Sequence, residues 1–222
     1  MPPLPFMTDS PPINTPKSLG VFLYSRYLAV FSVRIPKMDD AIKLLLAPGA
    51  IGVIPTDTIY GLVARISDIK AVERLYKVKY RNKKVGTLIA ANTNQLYNIG
   101  INKEDIVLAE KFWPGPISVV LPVDRSLEYL DQGIGSLAVR IPQDQKLIRL
   151  LNHTGPLITT SANLPDEPSS NTIEEAKAYF GNNVDFYIDS GDLSANKPSA
   201  IIKIENGKVI IIRENSYLNS LL

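Results

Sequence analysis

At 222 residues, with 45% apolar and 21% charged side chains, the chain has the makeup of one globular domain large enough to bury a full core, with room for a short appendage. Twenty-four Lys and Arg stand against 22 Asp and Glu, so a net charge of +2 does not by itself demand a polyanionic partner. The absence of cysteine and a lone histidine, His153, exclude disulfides, thiol catalysis, thiolate metal sites and multi-histidine centres, which leaves hydroxyls, amides, carboxylates and cations.

Residues 1–37 read as an N-terminal extension, either partly disordered or the product of an upstream start-site assignment. Its first half is rich in proline, and the apolar run 20–34 is broken by Arg26 and too short to span a membrane. A domain is expected over 38–222. Met38, Ala41, Ile42, Leu45 and Leu46 mark one face of a helix that ends before Pro48-Gly49. Ala50, Ile51, Val53 and Ile54 predict a buried strand stopped by Pro55. Beyond it, Thr56, Thr58 and Tyr60 carry hydroxyls at every second position, which in an extended segment share one face at a strand's end, where open α/β sheets bind ligands. The alternative is a hydroxyl-capped turn into the helix that starts near Asp68.

That helix runs to about Lys77, with Ile69, Val72, Leu75 and Tyr76 on its apolar stripe. Lys77, Lys79, Arg81 and Lys83 then alternate. An extended backbone would align all four on one side, and such a row suits the oxygens of a di- or triphosphate. A solvated basic loop is the alternative reading, and no Walker-type glycine loop is present. Further on, the pattern predicts a strand over 87–91, a helix over 103–112 closed by Trp113-Pro114-Gly115-Pro116, strands over 117–121 and 136–141, and a helix over 145–151. A strand over 156–160 runs into Ser161-Ala162-Asn163. A helix over 172–180 has Thr172 as N-cap and Glu175 at the capping-box position, and two strands, 199–205 and 208–213, flank the hairpin signal Asn206-Gly207. Strands and helices interleave, so the fold class is α/β or mixed α+β, a twisted sheet covered by helices.

Several residues stand out chemically. Ser161 and Asn163 offer a hydroxyl and an amide two residues apart at a strand's end. Arg140 interrupts the apolar run Leu137-Ala138-Val139-Ile141, and a guanidinium near a core needs an anion, either a protein carboxylate or a ligand's. Arg213, after Val209-Ile210-Ile211-Ile212, poses the same question, and Ser199 opens a strand after Pro198.

The segments PTDTIYGL (55–62), Lys79-x-Arg81, WPGP (113–116), AVRIP (138–142), TTSAN (159–163), PSAII (198–202) and IIIR (210–213) resemble, in order and spacing, the YrdC/TsaC family of threonylcarbamoyl-AMP synthases in its short single-domain form. The resemblance implies a YrdC-like twisted mixed sheet with a concave positive cavity. It also implies an L-threonylcarbamoyladenylate synthase, a cytoplasmic nucleotidyltransferase that uses L-threonine, bicarbonate and ATP, with Mg²⁺, and releases pyrophosphate. The product serves threonylcarbamoyladenosine modification of tRNA, reached directly or through a downstream transferase complex, with no membrane involved. By matched position, Lys79 and Arg81 would act on the ATP phosphates. Ser136, Ser161, Asn163, Ser169 and Arg213 would complete the ATP site, and Thr58, Arg140, Thr159 and Ser199 the threonine site; no protein metal ligands are implied. The chain departs from the family pattern at Asn82, usually proline, at Ala200, commonly threonine, and at Pro165-Asp166, usually Ser-Gly. The rival reading is a non-catalytic YrdC-like module that binds tRNA or double-stranded RNA.

Overall fold

The computed structural model describes residues 36–80 and 84–221. The expectations for residues 1–35, and those for Arg81, Asn82 and Lys83, fall outside the described residues. In chain order the elements are α1 (Met38–Leu45), β1 (Ile51–Pro55), β2 (Tyr60–Arg65), α2 (Ile69–Val78), β3 (Thr87–Ile89), α3 (Thr93–Asn98), α4 (Lys103–Ala109), β4 (Ile117–Pro122), α5 (Glu128–Asp131), β5 (Ser136–Arg140), α6 (Gln145–Thr154), β6 (Leu157–Ser161), α7 (Ile173–Phe180), β7 (Phe186–Tyr187), β8 (Ala200–Glu205), β9 (Lys208–Arg213) and α8 (Ser216–Asn219). The strands form one sheet in the order β7-β1-β2-β6-β3-β5-β4-β8-β9. It is mixed: β1–β7, β3–β5 and β4–β8 are parallel, and the other pairs antiparallel.

Side chains alternate across each strand, and this divides the core in two. Val53, Leu62, Leu88, Ile158, Val139 and Val119 pack on one face against Val72 and Leu75 of α2 and Ala176 and Phe180 of α7. Ile54, Val63, Ile89 and Leu157 point the other way, onto Ala41 and Leu45 of α1 and Leu147, Leu150 and Leu151 of α6. Each such fully buried aliphatic contributes roughly 1.5–3 kcal/mol. Helices α1 and α6 cover only part of this second face. Gly61, Thr87, Thr159, Ser161 and Arg140 share its parity and line an open hollow.

Two local expectations are corrected. Thr56, Thr58 and Tyr60 do not form an extended row: residues 56–59 are the turn of a β1–β2 hairpin in which Pro55 pairs with Tyr60. Thr56 causes the reversal, because its Oγ1 accepts the N–H of Thr58 at 3.2 Å and donates to the carbonyl of Ile59 at 2.7 Å. Tyr60 is buried instead, its hydroxyl donating to the carbonyl of Gly191 at 2.9 Å. The capped-turn alternative is thus right about the turn, but a strand, β2, intervenes before the helix. Nor do Lys77 and Lys79 lie on an extended segment. Helix α2 continues to Val78 with Lys79 as its C-cap, so Lys77 is exposed and Lys79 buried.

Asp68 caps α2 and joins it to the turn before β1. Its carboxylate accepts the N–H of Ala71 at 3.1 Å and that of Gly49 at 2.6 Å. These bonds, Gly49's first, hold the Asp68 carboxyl below the ordinary aspartate range. A depressed carboxyl contributes stability that is present above its unfolded-state value and lost as the pH falls through the folded one. Asp68→Ala is therefore expected to cost about 1–2 kcal/mol at neutral pH in urea titrations, with the gap to the parent protein closing in acid.

Candidate active site

The hollow is a cavity of about 240 Å³ walled by the β1–β2 turn, the starts of β3 and β8, and the ends of β5, β6 and β9. Its floor follows from strand register: Gly61 lies opposite Ser161, and Thr159 lies between Val63 and Thr87. Glycine is required where backbones crowd. A Cβ at Gly61 would stand 2.5 Å from Thr159 Oγ1, and one at Gly86 would stand 2.6 Å from the carbonyl oxygen of Thr159. The second contact is with main chain and cannot swing away. Gly86→Ala is accordingly expected to push β3 from β6 and destabilise the protein by about 1–3 kcal/mol, measured as a lower denaturation midpoint.

Arg140 ends β5 with 3% of its surface exposed, and its Nη2 lies 2.9 Å from Asp57 Oδ1. The partner that the sequence left open is thus a protein carboxylate from the β1–β2 turn. Both side chains are almost sealed, 4% and 2% exposed. Burial pushes the Asp57 carboxyl above the ordinary aspartate range against the pull of Arg140, and burial lowers Arg140 against the pull of Asp57. The carboxylate accepts no well-formed hydrogen bond, although backbone N–H groups of Asp57 and Gln143 face it, and Arg140 Nε has no acceptor.

Arg213 enters the same cavity from β9. Its Nε donates to the carbonyl of Ser199 at 2.8 Å and its Nη2 to Ser199 Oγ at 3.2 Å, and Ser199 Oγ lies 3.0 Å from Ser118 Oγ. Burial, then the nearness of Arg140, lowers Arg213. One guanidinium is thus balanced by an acid and the other bonded to neutral oxygens. No carboxylate is present among the described lining residues, so the hollow is positive and suited to an anion.

Lys79 is buried, 1% exposed, and its ammonium faces the end of β6. Nζ donates to the carbonyl of Ser161 and to Asn163 Oδ1, both at 2.8 Å, and to the carbonyl of Asn163. Ser161 Oγ donates to Asn163 Oδ1 at 2.7 Å, and Asn163 Nδ2 to the carbonyl of Glu167 at 2.5 Å. This lattice fixes the Ser161–Asn163 turn at the cavity rim.

Of the residues singled out from the sequence, Thr58, Arg140, Thr159, Ser161, Ser169, Ser199 and Arg213 line the cavity. Lys79 and Asn163 stand behind its rim. Ser136 does not join them: it begins β5, at the opposite end from Arg140, and lines a separate groove with Leu108, Ile134 and Lys203. Asp57, Gly61 and Gly86 were missed. A lone acid in the uncharged run PTDTIYGL was the available sign for Asp57, and a glycine opening the strand Thr87–Ile89 signals close backbone approach at Gly86. At the departures from the family pattern, Ala200 is fully buried in the core, and Asp166 holds a left-handed φ of 63° with its carboxylate 3.8 Å from exposed Lys84.

Residues 44–215 match the Sua5–YciO–YrdC family model, described as telomere recombination. A Methanocaldococcus jannaschii protein provisionally named threonylcarbamoyl-AMP synthase is 33% identical over 180 residues, 80% of this chain and 86% of that one. A threonylcarbamoyl-AMP synthase of Pseudoalteromonas translucida is 33% identical over 173 residues, covering 74% and 91% of the two chains. Among solved structures, Pyrococcus abyssi Sua5 complexed with L-threonine superposes with a TM-score of 0.70 at 27% identity, over 79% of this chain. The present chain spans about half of that longer protein, 53% of its length.

Proposed function

The chain belongs to the Sua5–YciO–YrdC family, and from that premise we propose that it is an L-threonylcarbamoyladenylate synthase: it carboxylates the threonine amine with bicarbonate and adenylates the carbamate with ATP, releasing pyrophosphate. The observation that carries this reading is the positive, hydroxyl-walled cavity in which Arg140, Arg213 and the Lys79-braced Ser161–Asn163 turn meet. Threonine is a zwitterion and ATP a polyanion. Two guanidiniums with one balancing acid suit the pair together better than either alone.

In this reading Arg140 takes the threonine carboxylate, and Thr58, Thr159 and Ser199 place its amine and hydroxyl. Ser161, Asn163, Ser169 and Arg213 receive the phosphates, with Arg81 as a further cation. Lys79 acts chiefly by holding the Ser161–Asn163 turn. Ser136 meets only a nucleotide that extends along β5 away from Arg140. The carbamate oxygen attacks the α-phosphorus, and the protein contributes alignment and charge neutralisation. The wall offers Mg²⁺ no carboxylate, and no cluster of three or more metal-ligating side chains occurs among the described residues. In this reading Mg²⁺ enters with ATP, as part of the substrate.

A cytoplasmic setting and transfer of the product to tRNA, directly or through a transferase complex, follow from the same reading. No described helix is long and apolar enough to cross a membrane. The test is pyrophosphate release with each substrate omitted in turn. Release that needs threonine, bicarbonate and ATP together is expected, and release indifferent to threonine sinks the assignment. Salt-sensitive RNA binding without ATP consumption favours the non-catalytic module instead.

A further inference from the structure

We infer that Asp57 is a positioning residue for the amino-acid substrate, acting through Arg140; the inference rests on the reading of Arg140 as the threonine carboxylate's receptor. Arg140 lines the cavity and Asp57 does not. The carboxylate lies behind the guanidinium at 2.9 Å, on the turn that joins β1 to β2. A guanidinium on four rotatable bonds has many orientations, and strand β5 fixes only its root. Asp57 meets the guanidinium at Nη2 from the turn side, and this ion pair restrains the planar fork. Nε, on the same edge of the guanidinium as Nη2, is buried and has no acceptor, so the ion pair with Asp57 is the contact that holds this edge.

The sealing of this pair also argues for orientation over surface attraction. Both side chains are more than nine-tenths buried, where breaking an ion pair is costly and the guanidinium has little solvent to reorient in. The charges facing Asp57 are Arg140 on β5 and Asp144, the N-cap of α6, and Arg213 lies beyond Arg140 on β9. Two effects then compete. Loss of the Asp57 charge unscreens Arg140, which favours an incoming carboxylate, and it also frees the fork to turn away. Orientation wins here, because misplacing a binding group by about 1 Å costs up to about 100-fold, whereas the guanidinium stays positive in either case.

The experiment is calorimetric binding of threonine and of ATP, separately, to the full chain and to Asp57→Asn. Threonine affinity is expected to fall at least about tenfold while ATP affinity stays within about twofold, as lost alignment at one subsite requires. The parent protein should also lose threonine affinity as the pH is lowered from neutrality through the acid range, where the raised carboxyl takes up its proton, and the Asn variant should lack this acid limb. Unchanged or tighter threonine binding in the variant, or equal losses for both ligands, overturns the inference. Should the variant not fold, the parent's pH dependence decides alone, and a flat threonine affinity across that range overturns the inference. Failure of the parent protein to bind threonine at any pH instead removes the functional reading on which the inference stands.

Discussion

Lys79→Met is expected to abolish threonine-dependent pyrophosphate release and to lower the melting temperature by about 10 °C. Methionine keeps most of the buried stem and deletes the ammonium, which leaves the carbonyls of Ser161 and Asn163 and the Asn163 side-chain oxygen without their common donor. A buried acceptor left unsatisfied costs about 1–3 kcal/mol, and in a protein of this size each kcal/mol shifts the melting temperature by about 2–4 °C. Differential scanning calorimetry and the release assay read the two effects independently. A variant that melts normally yet fails to turn over would move Lys79 from bracing the turn to direct contact with phosphate. One that keeps full activity would remove it from the site.

Arg140→Ala has the second large effect, expected on stability and on substrate preference together. The change strands Asp57 inside the protein, and breaking a buried pair from one side costs about 3–5 kcal/mol. The sign of its pH dependence is fixed by Asp57, whose carboxyl is already raised by burial and rises further once the guanidinium is gone. Such a group contributes stability that is fully present below its unfolded-state value and lost as the pH climbs through the folded one. The variant should therefore be least impaired in acid and most impaired near neutrality, by urea titration at several pH values. The threonine requirement should rise by roughly 10- to 150-fold, the equivalent of one charged hydrogen bond, and the ATP requirement by much less. Equal rises would make Arg140 a structural residue.

Most of the layout was legible from periodicity. The helices at Met38, Asp68 and Gln145, the strands at Ile51, Ile117, Ser136 and Leu157, and the Asn206-Gly207 hairpin all appear where apolar spacing puts them. The failures have physical causes. Strand β2 hid because Thr56 turns the chain by side-chain bonding, which leaves no glycine or proline mark at the reversal itself. The two-residue β7 and the four-residue helices α5 and α8 are too short to show a period. At the site, residue types were readable and partnerships were not. Arg140 announced that it needed an anion, yet its partner lies 83 positions earlier in the chain, and only the register of β5, β3, β6 and β2 brings the two together. Lys79 was read as a ligand-facing cation, because no periodicity reveals that a helix end will turn its ammonium onto main-chain carbonyls.

Arg213, at the end of β9, is the last side chain of the hollow to be synthesised. A nascent polypeptide still threaded in the ribosomal exit tunnel therefore lacks one of its two guanidiniums, however well the earlier strands have paired.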